Sequence, residues 1–177
     1  MIRSLLIAAT FFLVNLPTHA QAKGQDTLLI ALPAGNVEIK MMPKIAPKHV
    51  ERIKALTSNG FYDDLGWFRV IEGFIAQTGY PLDSEKGEKG KSHLPDLPAE
   101  FSSYKFKRGT VGMGRSDNPD SANSQFFICL SDEGCKDLTG QYTAWGQVTK
   151  GMEFVDRLKR GTPPDNPDKT IHATLGK

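Results

Sequence analysis

Metal, redox or nucleophilic chemistry would have to be built here from four histidines, His19, His49, His93 and His172, and two cysteines, Cys129 and Cys135. The histidines stand alone, without metal-ligand spacing. The cysteines lack the Cys-x-x-Cys spacing of a thioredoxin-like redox pair. No Gly-x-Ser-x-Gly turn raises a serine nucleophile, and Gly112-Met113-Gly114-Arg115 lacks the strand–loop–helix setting of a phosphate loop. No metal, cofactor or covalent nucleophile is expected, which leaves hydrogen-bond donors and apolar surface as the available chemistry.

The elements that would position such groups are short. Thr27–Leu32 and Val37–Met41 read as a hairpin around Pro33-Ala34-Gly35-Asn36. Pro47 suits the first turn of a helix in which Val50, Ile53 and Leu56 recur at helical spacing, and Asn59-Gly60 ends it. Further strands are expected at Trp67–Ile71, Phe74–Thr78, Thr110–Met113, Gln125–Leu130, Ala144–Val148 and Thr170–Leu175. A second helix is expected over Met152–Lys159, stopped by Gly161, Pro163 and Pro164. The charged run from Asp83 to Lys91 reads as a solvated loop. Many short strands with two isolated helices favour a closed or sandwiched all-β domain. Within Phe74–Thr78, Ile75 and Gln77 share a face. Within Gln125–Leu130, Phe126, Ile128 and Leu130 form a core stripe while Phe127 and Cys129 face the other way. That parity fits an external apolar pocket, and equally a strand buried on both faces. On spacing alone, the chain reads as a soluble β-rich domain.

Composition sets the remaining bounds. The chain has 177 residues, 39% hydrophobic and 24% charged, with 22 basic against 20 acidic side chains. One domain is expected, and the lack of a basic block argues against a nucleic-acid partner. Arg3, the apolar run from Leu5 to Leu16 and the small residues around Ala20 and Ala22 have the layout of a cleavable export signal. The run is shorter than the roughly 20 residues of a spanning helix. The expected division is a signal over 1–22 and one domain over 23–177, periplasmic, monomeric and free of the membrane after cleavage.

Four ordered segments carry a resemblance. Phe68-Arg69-Val70-Ile71-Glu72-Gly73-Phe74-Ile75-Ala76-Gln77-Thr78-Gly79 resembles the core signature of cyclophilins, the peptidyl-prolyl cis–trans isomerases. Ser124-Gln125-Phe126-Phe127-Ile128 is similar to their second signature, and Leu138-Thr139-Gly140-Gln141-Tyr142-Thr143-Ala144-Trp145-Gly146 to the third. Ala46-Pro47-Lys48 with Gly60-Phe61-Tyr62 matches the first helix and its exit in compact bacterial members. The resemblance spans about Thr27 to Leu175. It implies a closed eight-stranded antiparallel barrel capped by two α-helices, with a groove on its outside.

By match to those motifs, Arg69 would be the catalytic donor, with Gln77 orienting it and holding the peptide. Phe74, Ile75, Phe127 and Leu138 would line a proline pocket, and Tyr142 would wall it where many members carry His. Arg115 falls where the family binds the residues before proline through backbone groups. Phe68 stands where many members have His. Asp137 replaces the Trp with which cyclosporin-sensitive members hold that drug, which places drug sensitivity in doubt. The implied partners are proline-containing peptides and unfolded or folding exported proteins. Two readings from other classes remain: a proline-binding module without catalysis, and an envelope scaffold contacting partners through Glu85–Lys91.

The cysteines are decided by no family motif. Cys129 lies near a strand end on the Phe127 side, Cys135 in the following loop, and Gly134 lets the chain turn back. A Cys129–Cys135 disulfide is expected; the alternative is two unrelated thiols, and Cα atoms roughly 4.4–6.8 Å apart would separate the cases.

Overall fold

The computed structural model describes residues 26–82 and 85–176; the expected signal over 1–22 lies outside them. The first two strands, β1 (Thr27–Leu32) and β2 (Gly35–Met41), pair in register from Thr27 opposite Lys40 to Leu32 opposite Gly35. The turn is therefore only Pro33-Ala34, and β2 starts two residues earlier than expected. Leu28, Ile30 and Leu32 alternate inward, as do Val37, Ile39 and Met41.

Helix α1 (Pro47–Ser58) begins on its proline and ends at Asn59, followed by Gly60 at φ 66°. Ala46 supplies no side-chain cap. The Glu100 carboxylate does so instead, accepting from the backbone N–H of Lys48 at 3.1 Å and of His49 at 3.0 Å. A carboxylate at the N-terminus satisfies orphan donors and meets the positive end of the helix dipole.

The remaining strands are β3 (Arg69–Val70), β4 (Ile75–Thr78), β5 (Gly87–Glu88), β6 (Lys91–Ser92), β7 (Thr110–Met113), β8 (Phe126–Cys129), β9 (Ala144–Lys150) and β10 (His172–Leu175). Eight form one sheet in the order β10-β1-β2-β9-β7-β8-β4-β3, all described pairings antiparallel, while β5 and β6 form a separate hairpin. That hairpin lies inside the stretch read as a solvated loop, of which Asp83 and Ser84 are outside the described residues. It is anchored: Ser92 donates through its backbone N–H and its hydroxyl to Asn123 Oδ1 at 2.9 and 2.7 Å.

The expected closed barrel is corrected to an open half-barrel. The edges β10 and β3 are not laddered together among the described residues; an isolated bridge between Gly66 and Lys169 marks their approach. Edge strand β3 is two residues long, and Val70 bridges Gly161 beside it. The chain then carries Pro163, Pro164 and Pro167, which have no N–H to extend a ladder.

The second expected helix is also corrected. Only α3 (Met152–Val155) is helical, and the next amides close tighter turns, Arg157 N–H to Phe154 O and Leu158 N–H to Val155 O, both at 3.2 Å. A further one-turn helix, α2 (Asp132–Cys135), runs into a 3₁₀ turn over Lys136–Leu138. The caps are thus one long helix and two single turns.

The main core fills the inside of the curl. Phe126 is its hub, edge-on to Tyr62 at 5.4 Å, Trp145 at 5.4 Å and Trp67 at 6.1 Å. A second cluster lies on the outer face: Ile75, Phe106, Phe127, Cys129, Cys135 and Ala144, with Phe74, Leu138 and Tyr142 partly buried against it.

Candidate active site

Strand alternation builds the site on that outer face. Arg69 on β3 stands opposite Gln77 on β4, Gln77 opposite Phe127 on β8, and Phe127 opposite Gly112 on β7. One register row thus carries a guanidinium, an amide and an aromatic ring across adjacent strands, and Ile75 opposite Cys129 forms the next same-facing row. Gly112 is required by the close approach: a Cβ there would lie 2.5 Å from Phe127 Cζ and 2.6 Å from Phe106 Cε1. Phe127 stacks on Phe106 at 5.9 Å and meets Tyr142 edge-on at 5.6 Å.

Over this floor opens a cavity of about 300 Å³. All eight residues singled out from the sequence line it: Arg69, Phe74, Ile75, Gln77, Arg115, Phe127, Leu138 and Tyr142, together with Gly114. Arg69 is held at the rim. Its Nη1 donates to Gln77 Oε1 at 3.3 Å, and its guanidinium carbon lies 5.6 Å from the Phe74 ring centroid. Gln77 Nε2 donates in turn to Gln125 Oε1 at 2.9 Å, and Gln125 Nε2 to the Gly90 carbonyl at 2.7 Å. This relay ties the arginine to the β5–β6 hairpin. Gln125 was not singled out from the sequence, although its parity with Phe127, two residues on, carried the signal.

Arg115 has a different setting. Its Nη2 and Nε donate to Gln141 O at 3.1 and 3.3 Å and its Nη1 to Ser116 O at 2.7 Å, while its guanidinium lies 4.5 Å from the Tyr142 ring centroid. It props the Tyr142 wall. Phe68 packs on Tyr80 at 5.0 Å, and Asp137 is exposed on the 3₁₀ turn beside Leu138.

Cys129 and Cys135 are joined by a disulfide with Cα atoms 6.1 Å apart, and both residues are fully buried. The bridge ties the turn carrying Leu138 to strand β8. Tyr142 N–H donates to Leu138 O at 3.1 Å, so the two walls beyond the bridge are coupled.

Behind the site lies a buried titratable pair. His49 Nδ1 and Glu100 Oε2 are 2.6 Å apart, and Glu100 N–H donates to Thr143 Oγ1 at 2.9 Å, next to Tyr142. Burial holds the His49 imidazole below its ordinary range, against the opposing pull of Glu100. Burial pushes the Glu100 carboxyl up, but the hydrogen bonds from the His49 ring and from the His49 and Lys48 amides outweigh it and hold the group below its ordinary value.

Comparison with known proteins adds a family model, cyclophilin type peptidyl-prolyl cis-trans isomerase, which matches residues 27–174. The chain belongs to the cyclophilins. A probable peptidyl-prolyl cis-trans isomerase of Brucella suis is 44% identical over 190 residues, covering 98% of this chain and 96% of that one. A peptidyl-prolyl cis-trans isomerase of Helicobacter pylori is 34% identical over 129 residues, 72% of this chain and 76% of that one. Solved cyclophilins share the fold. One from Hirschia baltica has a TM-score of 0.76 at 23% identity, covering 85% of this chain and 74% of that one. One from Cryptosporidium parvum, crystallised in the presence of the dipeptide Ala-Pro, has a TM-score of 0.74 at 23% identity, covering 85% and 99%. In this cyclophilin, the groove is the outer face of the β3-β4-β8-β7 half of the curl.

Proposed function

We propose that Arg69 is the catalytic residue with which this cyclophilin-type peptidyl-prolyl cis–trans isomerase turns Xaa-Pro bonds, and that the chain assists the folding of exported proteins. The observation that carries this reading is the Arg69 guanidinium, held by Gln77 at the rim of a cavity walled by Phe74, Ile75, Phe127, Leu138 and Tyr142.

The uncatalysed reaction faces a barrier of about 18–20 kcal/mol from amide resonance. A turnover on the order of 10³ per second requires removal of roughly 6–7 kcal/mol. Two devices supply it here. The apolar walls grip the proline ring, and Arg69 presents donors towards the imide nitrogen. That nitrogen regains its lone pair only when the bond is twisted, so a donor aimed there stabilises the transition state over both ground states. Arginine suits the role because it stays charged and its donors are rigidly arranged. Gln77, fastened to Gln125, keeps that geometry.

The export part of the reading rests on the charged start, apolar run and small residues of segment 1–22, with the isomerase domain over 23–177 acting as a monomer in the periplasm. Fractionation and N-terminal mass analysis of the expressed protein test it; an unprocessed cytoplasmic chain would overturn it. A protease-coupled isomerisation assay tests catalysis. The expected result is accelerated exchange without added cofactor, and a folded chain that binds proline peptides without accelerating exchange would establish the binding-module reading instead.

A further inference from the structure

A second cavity, of about 760 Å³, adjoins the proline pocket, and Arg69 lines both. It shares Tyr80 and Lys89 with a smaller cavity on the Gly114–Arg115 side, which Lys91, Ser121, Asn123 and Gln125 also line. In the larger cavity the apolar part of the lining comes from Phe68, Tyr80, Leu82, Pro163, Pro164 and Pro167, with Lys89 and Asp165 as its charged members besides Arg69. Leu82 is 84% exposed, the most open large apolar side chain among the described residues. A side chain of that kind at the rim of an apolar cavity marks surface available to a ligand. The prolines have no N–H to donate to an incoming strand. With most of the lining apolar, an occupant is recognised there chiefly by its side chain.

Resting on the isomerase reading, we propose that this cavity is an extended substrate subsite that takes a large apolar or aromatic side chain near the target proline. Continuity decides the occupant. Arg69 lines both cavities, so a polypeptide whose proline sits under Arg69 can reach this one, and the same chain that supplies the proline supplies the side chain. Phe68, its ring tilted against Tyr80, lines the cavity together with the proline segment and the exposed Leu82. The enzyme would then discriminate among prolines by what flanks them, with the preference expressed as tighter binding rather than faster chemistry.

The experiment is a scan in which phenylalanine is placed at each of the three positions before and after proline in an otherwise alanine-rich peptide. The mature chain, Leu82→Ser and Leu82→Phe are compared. Phenylalanine at one or two positions on one side of the proline should raise kcat/KM about fivefold or more, through KM. Leu82→Ser should remove most of that gain while leaving the all-alanine peptide unchanged, and Leu82→Phe should restore it. Lack of a gain at every position, or a gain that survives Leu82→Ser, would overturn the subsite. Loss of the isomerase reading looks different: the folded protein would turn over none of the peptides. Amide chemical-shift changes of Leu82 and Tyr80 on adding the phenylalanine peptides would then still report the cavity's occupancy, and their absence would remove the subsite too.

Discussion

Phe126 and Phe127 are neighbours in the chain, equally hidden from solvent, and they serve opposite regions. Phe126 is enclosed by Tyr62, Trp67 and Trp145 inside the curl. Phe127 lies in the outer cluster, where Phe106 and Tyr142 flank it and the space above stays open as the cavity of about 300 Å³. The inner face is packed by the chain itself. The outer face leaves Phe74, Leu138 and Tyr142 only partly buried. That unfilled apolar surface is what a substrate can complete, and one polar row, Arg69 and Gln77, runs along its edge. The closed core lies on one side of the sheet, and the proposed binding surface on the other.

The largest effect expected from this contrast belongs to the inner face. Phe126→Ala should lower unfolding free energy by about 3–5 kcal/mol, measured by urea denaturation. A loss under about 1 kcal/mol would show that the inner face is not the stabilising one. The disulfide comes next. Replacing both Cys129 and Cys135 by Ala releases a short loop, and the chain-entropy relation gives a cost of about 2 kcal/mol. Its signature should be a lower denaturation midpoint together with a raised KM, since Leu138 loses its tether to β8. Equal freely alkylating thiol content before and after reduction of the denatured wild-type protein would contradict the bridge itself.

Arg69→Ala should separate the two faces most sharply. The expected loss in kcat/KM is at least about tenfold, or 1.4 kcal/mol of transition-state stabilisation, with an unchanged denaturation midpoint. Full activity in the folded variant would refute the mechanism.

The smallest effect concerns the His49–Glu100 pair behind the groove. His49 is held below its ordinary pKa of 6.5, so as pH falls below that value the unfolded chain takes up a proton that the native one refuses. Stability should begin to fall below about pH 6.5. Glu100 is held below its ordinary 4.5, so its own contribution, complete above that value, is lost as pH falls further. His49→Gln should flatten the first part of the profile between pH 7 and 5 and leave the second. A wild-type profile level from pH 7 to 5 would contradict the assignment.

The candidate site was legible through the motif resemblance, and strand parity agreed with it. Ile75 and Gln77, and then Phe127 and Cys129, are set on the outer face by a period of two, and the register of β4 against β8 brings the pairs together. Arg69 was identifiable only through motif resemblance, since a lone arginine is ordinarily a surface charge. Gln125 had the right parity, but no rule of spacing links an amide to a partner 48 residues away. The closed barrel was misjudged for a related reason. Strand count follows from local patterning, whereas closure depends on what the two edges meet, and here β3 meets Gly161 in an isolated bridge rather than pairing with β10.

By itself, the sequence determined a hairpin within Pro33-Ala34-Gly35-Asn36, the start of α1 on Pro47 and the alternation of Gln125–Leu130, while the cavity-lining residues came from motif resemblance. These depend on interactions within a few residues, or on motifs that keep their order along the chain. Only the tertiary structure decided that Glu100 caps a helix 51 residues away, that Gly112 makes room for the Phe106 and Phe127 rings, and that Arg69 is fastened through Gln77 and Gln125 to Gly90. Each of these depends on how separate segments are brought together in space. Their distance is set by how strands stack and curl, and no local periodicity encodes it.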